Sequence, residues 1–153
     1  MPPRRSSAKA AQQSRQRPLA RIERFSVGTI NSDAVAALGL DVSALVANAS
    51  ALLRLAGVVV LGPDEPKQGV GHLLFDYLVN HDLAIVVCTL TVADVVASKR
   101  EPGVDLLARV WTGETSVFVR TRGTALAEVL AGAMPSLIGE FVDDYRKAIL
   151  ANG

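Results

Sequence analysis

The chain has one cysteine, two histidines and seven aromatic residues among 153 positions, and each scarcity closes off a class of chemistry. A single thiol, Cys88, cannot form an internal disulfide and cannot furnish a cysteine-based zinc site. It lies in the apolar run Ala84-Ile85-Val86-Val87-Cys88-Thr89-Leu90, where burial without a basic neighbour raises a thiol pKa. Cys88 therefore reads as a small core residue and not as a nucleophile. His72 and His81 stand nine residues apart without the HExxH spacing of a zinc protease, and the GxSxG elbow of a serine hydrolase is absent. One Trp, two Tyr and four Phe leave few platforms for stacking bases or sugars. No apolar run reaches the roughly 18 residues of a membrane-spanning helix, since the longest, from Leu83 to Ala97, is broken by Asp94. No secretory apolar region follows Met1, which sets the expectation of a cytoplasmic or virion location.

What the chain does have is aliphatic bulk: half its residues are hydrophobic, chiefly Val, Ala and Leu, enough for one core of ordinary depth. Its charge is divided. Residues 1–24 carry Arg4, Arg5, Lys9, Arg15, Arg17, Arg21 and Arg24 against Glu23 alone, whereas the remainder has nine basic and fourteen acidic residues. Residues 1–18 contain no branched aliphatic side chain, so nothing there offsets the entropy of ordering them. They are expected to form a flexible basic arm ahead of a single α+β domain at 19–153. Through Arg4, Arg5, Lys9, Arg15, Arg17 and Arg21 such an arm suits docking on an acidic protein surface, or salt-dependent contact with nucleic-acid phosphates. Its Arg, Ser and Ala content also resembles a mitochondrial presequence.

The alternation in Leu19–Val27 predicts an edge strand, followed by a turn at Gly28–Asn31. Asp41 is a good N-cap and Gly57 a good C-terminal glycine for a helix whose apolar stripe is Val42, Leu45, Val46, Ala49, Leu52, Leu53 and Ala56. Val58–Leu61 reads as a short strand. Val70, Leu73, Leu74, Tyr77 and Leu78 recur at helical spacing, predicting a short helix over 69–79. Leu83–Val96 is β-branched and apolar enough for a central strand. Val104–Thr112 and Thr115–Thr121 read as a hairpin turning at Gly113-Glu114, with Trp111 beside Leu107 and facing Phe118. Thr124 caps a last helix to Leu150, about 40 Å long at 1.5 Å per residue, with Pro135 expected to kink or divide it. The order implies a mostly antiparallel sheet of four to five strands with two main helices on one face.

The remaining constellations are sparse. Gly69-Val70-Gly71 precedes the expected helix, but Leu74 stands where a dinucleotide fingerprint has its third glycine. Asp76 falls one helical turn after His72, where the two could pair, but with His81 they read as surface residues at the rim of a short helix; the 63–72 loop is the place for a small-molecule or enzymatic site. Asp143-Asp144 face about 100° apart on a helix and read as a solvated pair. Arg109, Arg120 and Arg122 form a basic patch if they share a sheet face, or pair across strands with Asp105 or Glu114. No catalytic, cofactor or metal residue is assigned. The expectation is a non-enzymatic assembly subunit, homo-oligomeric, that docks through its arm. The order of elements over 33–150 resembles small phage tail-terminator or head–tail joining proteins, and is also similar to envelope lipoproteins that assist assembly with a helix-backed sheet.

Overall fold

The computed structural model describes residues 10, 17–62, 64–65, 70–121 and 125–152. A 3₁₀ turn at Arg17–Arg21 leads to β1 (Phe25–Ile30), the short α1 (Ser32–Ala36), α2 (Val42–Leu55), β2 (Gly71–Asn80), β3 (Ile85–Ala97), β4 (Asp105–Arg120) and α3 (Leu126–Asn152). The strands form one sheet in the order β1-β2-β3-β4. β1 and β2 run parallel, because α1 and α2 form the crossover between them, and the other two pairings are antiparallel. This is the expected α+β architecture, a mostly antiparallel sheet backed by two long helices.

Local chemistry sets α2 as the sequence implies. Asp41 accepts the backbone N–H of Ala44 at 3.1 Å, satisfying one of the orphan donors of the first turn. At the other end Gly57 takes φ +86°, its N–H reaches the Arg54 carbonyl and that of Val58 reaches Leu53, a Schellman closure. Leu45, Ala49 and Leu53 are the buried stripe. In α3 the expected division at Pro135 does not occur; one helix runs through it, with Pro135 exposed. The expected cap at Thr124 falls outside the described residues.

Four expectations are corrected. Leu19 and Ile22, spaced by three, belong to the 3₁₀ turn and its exit and are buried there, so the edge strand begins only at Phe25 and absorbs the expected turn at Gly28–Ile30. Val58–Leu61 contributes one isolated parallel bridge, Val60 to Phe25, and no strand. The segment over 69–79 is β2: Gly71, Leu73, Phe75 and Tyr77 are buried at period two. The helical spacing arose because Leu74 and Leu78, on the other face, are apolar as well. Gly113-Glu114 is a bulge inside one 16-residue strand and not a hairpin turn.

That bulge explains how α3 is held. The Glu114 and Thr115 N–H groups donate to the two carboxylate oxygens of Glu140 at 2.6 and 3.1 Å. Gly113 allows the approach, since a Cβ there would lie 3.3 Å from Glu140 Oε2 and 3.4 Å from the Leu90 carbonyl. One helical turn on, the Trp111 indole N–H donates to Asp144 at 2.9 Å. Asp144 is 6% exposed, so the solvated reading holds for Asp143 alone. Phe141, which falls between Glu140 and Asp144 in sequence and is fully buried, meets Phe25 and Trp111 edge-on at 5.2 and 5.5 Å and stacks on Tyr145 at 5.7 Å. Trp111 thus packs on the helix side and has Phe141 for its aromatic neighbour, while Phe118 points to the opposite face. The Tyr145 hydroxyl donates to the Ile22 carbonyl at 2.7 Å, fastening the chain entry to the same helix.

Truncating Phe141 to Ala should cost about 3–5 kcal/mol in urea unfolding, the range for a buried Phe. Asp144→Ala is expected to cost about 1–3 kcal/mol by leaving the indole N–H without its acceptor, and Asp143→Ala to fall within about 0.5 kcal/mol of the parent.

Candidate functional site

A sheet with its helices on one side presents the other side as a surface, and the register maps it residue by residue. Its rows, read from β1 to β4, begin with Ser26, His72, Ala93 and Arg109. Next come Gly28, Leu74, Thr91 and Thr112, and then Ile30, Asp76, Thr89 and Ser116. The last two rows lie on β2 to β4: Leu78, Val87 and Phe118, followed by Asn80, Ile85 and Arg120.

The upper rows are polar and tied together. The Ser26 hydroxyl lies 2.6 Å from His72 Nδ1. Thr89 and Ser116 share a hydrogen bond at 2.9 Å. Arg109 on β4 donates to Asp76 on β2 at 3.0 Å. Thr91, on β3 between these two strands, is 1% exposed and its hydroxyl has no hydrogen-bond partner. The lower rows change character. Leu78 is 63% and Phe118 69% exposed, with Val87 half-buried between them and Leu83 of the β2–β3 turn 66% exposed nearby.

Sequence reasoning identified some of these residues and misplaced others. Asp76 pairs with Arg109 and not with His72; on a strand the two are four residues, roughly 13 Å, apart. Arg109 therefore has neither Asp105 nor Glu114 as its ion-pair partner. Arg109 and Arg120 do share this face, yet their β3 partners Ala93 and Ile85 are eight residues apart, roughly 26 Å along the strand. The two do not form one patch, and Arg122 lies outside the described residues. Of the arm, Arg21 is exposed at the end of the 3₁₀ turn and Arg17 opens that turn, while Arg4, Arg5, Lys9 and Arg15 lie outside the described residues. Ser26 was missed, because its partner His72 is 46 residues away across a parallel pairing that no local pattern announces.

The arrangement limits the chemistry. Ser26 and His72 supply a hydroxyl and an imidazole in contact. Cavities of about 380 Å³ beside Leu38–Leu40 and α3, and about 350 Å³ between α2 and β1, are lined by neither His72, Asp76 nor His81. No group of three or more His, Cys, Asp or Glu side chains among the described residues is placed to hold a metal ion. No described helix is long and apolar enough to cross a membrane. The chain matches no protein-family model and no curated protein.

Cys88 is buried on the helix side, and burial, aided by the Asp76 carboxylate, pushes its thiol from 9.0 up to about 12. Burial raises Tyr77 and Tyr145 as well. Raised acids favour the folded state while they stay protonated. Their contribution is complete below the unfolded-state values and is lost as pH climbs. Unfolding free energy should thus decline as pH rises from about 9 toward about 12, and Cys88 should resist iodoacetamide at pH 8 until the chain is unfolded. Rapid labelling of the native protein would contradict this placement.

Proposed function

We propose that the chain is a non-enzymatic subunit of an assembly, which associates with copies of itself through the uncovered face of its sheet. Its basic arm docks on a neighbouring subunit or an acidic partner. The observation that carries this reading is the row Leu78–Val87–Phe118, apolar across three adjacent strands and facing away from both long helices. Single exposed apolar residues are ordinary, but a contiguous row on a bare sheet face has the character of an interaction surface. The β3–β4 ribbon adds to it at the far end of the sheet. Beyond Ala93, where β2 pairing stops, Val95, Leu106 and Leu107 are exposed on a two-stranded projection. Two strands alone are marginally stable in water, so a neighbour against this ribbon would contribute to its order.

The charge division supports a role for the arm. Its basic residues precede a body with an acidic excess, and the 3₁₀ turn from which it extends is fastened to α3 through Leu19, Ile22 and Tyr145. Opposite charges on arm and body favour contact between copies, and nucleic acid is the alternative occupant of the arm. A head–tail joining or tail-terminating protein of a phage, or an envelope-assembly factor, is a particular form of this reading.

Light scattering after size exclusion at tens of micromolar should give a mass above the 16.1 kDa of one chain. Phe118→Asp should reduce it to one chain without changing the circular dichroism. A wild-type monomer under these conditions would overturn the reading. Removing residues 1–16 should weaken association and leave stability nearly unchanged; a loss above about 2 kcal/mol would show the arm to be part of the core.

A further inference from the structure

Two charges at the margin of the uncovered face make no ion pair among the described residues. Arg120, at the β4 end of the last row, is exposed and makes no ion pair among the described residues. Asp82, in the β2–β3 turn two residues past Asn80, is likewise exposed and without an ion pair. They flank the apolar row on opposite sides, one at β4 and one at the turn leaving β2. Within one copy β3 separates them.

We infer that a second copy of this chain covers the face, related by a twofold axis running along β3, so that Arg120 of each copy meets Asp82 of the other. The inference rests on the self-association just proposed and specifies its geometry. A twofold along β3 exchanges β2 and β4. It therefore sets Phe118 of one copy against Leu78 of the other, Val87 against Val87, and Arg120 over the partner's β2–β3 turn. Each residue of the apolar row meets an apolar residue, and Arg120 comes over the turn that holds the oppositely charged Asp82. A twofold across the strands lacks this match: it would lay Arg120 against its partner's β4, near Ser116, and leave Asp82 without a cation. Strands kept within about 30° of each other also suit the ordinary face-to-face packing of two sheets. The contact is small. Three strand spacings of about 4.8 Å by nine residues of about 3.3 Å span roughly 400 Å² per copy, below the 800 Å² or so of a standard interface. Association is accordingly expected to depend on concentration, and to weaken with salt through the exposed pairs.

Sedimentation equilibrium of the full chain with Arg120→Glu, Asp82→Arg and the double variant tests this geometry, with circular dichroism to verify the fold. Each single reversal should weaken self-association about tenfold or more, because it opposes like charges twice in the dimer. The double variant should restore it. Singles without effect, or a double variant no better than the worse single, would overturn this twofold even if Phe118→Asp still dissociates the protein. If Phe118→Asp has no effect either, the broader reading fails with it.

Discussion

The grip of α3 on β4 is the interaction on which the rest of this fold depends. Glu140 takes the two N–H groups that the bulge at Gly113-Glu114 withdraws from the β3 ladder. Asp144 takes the indole N–H of Trp111, and Phe141 packs edge-on against that indole. Hydrogen bonds to charged acceptors contribute more than neutral ones, and here they sit at the rim of an aromatic cluster that also includes Phe25 and Tyr145. One helical surface therefore joins both edge strands, β1 through Phe25 and β4 through Trp111, and the chain entry through the bond from Tyr145 to Ile22.

A consequence follows for the opposite face. With the core gathered on the side of α2 and α3, the other side has to satisfy itself with its own side chains. In its upper rows it does so by bonds among neighbours: Ser26 with His72, Thr89 with Ser116, and Arg109 reaching across β3 to Asp76. In its lower rows it does not, and Leu78, Leu83 and Phe118 stand in solvent with Arg120 and Asp82 at their margins. The gradient from satisfied polar rows to exposed apolar ones along a single face is what marks the lower rows as the surface proposed for association.

Local rules made α2 and β3 legible. Asp41 and Gly57 bracket the helix by chemistry acting within a few residues, and a β-branched run as long as β3 has few other destinations. β2 was not legible, because apolar residues on both faces of a strand mimic a helical stripe. Gly113-Glu114 carries the marks of a turn, and only the carboxylate of Glu140, 26 residues later, makes it a bulge. Asp144 did leave a signal. It follows Leu137 and Phe141 at helical spacing and precedes Ala148 by four, so it lies on the buried stripe, whereas Asp143 lies off it. The apolar row of the candidate surface could not be read at all, since Leu78, Val87 and Phe118 meet only through the register of three strands.

The central claim, that copies of this chain meet on the bare side of the sheet, is tested most directly by following side-chain NMR signals against protein concentration. Concentration-dependent shifts are expected at Leu78, Leu83, Val87 and Phe118, with the buried methyls of Leu53 and Leu137 unmoved. Shifts confined to the outer surfaces of α2 or α3, or none up to hundreds of micromolar, would contradict it.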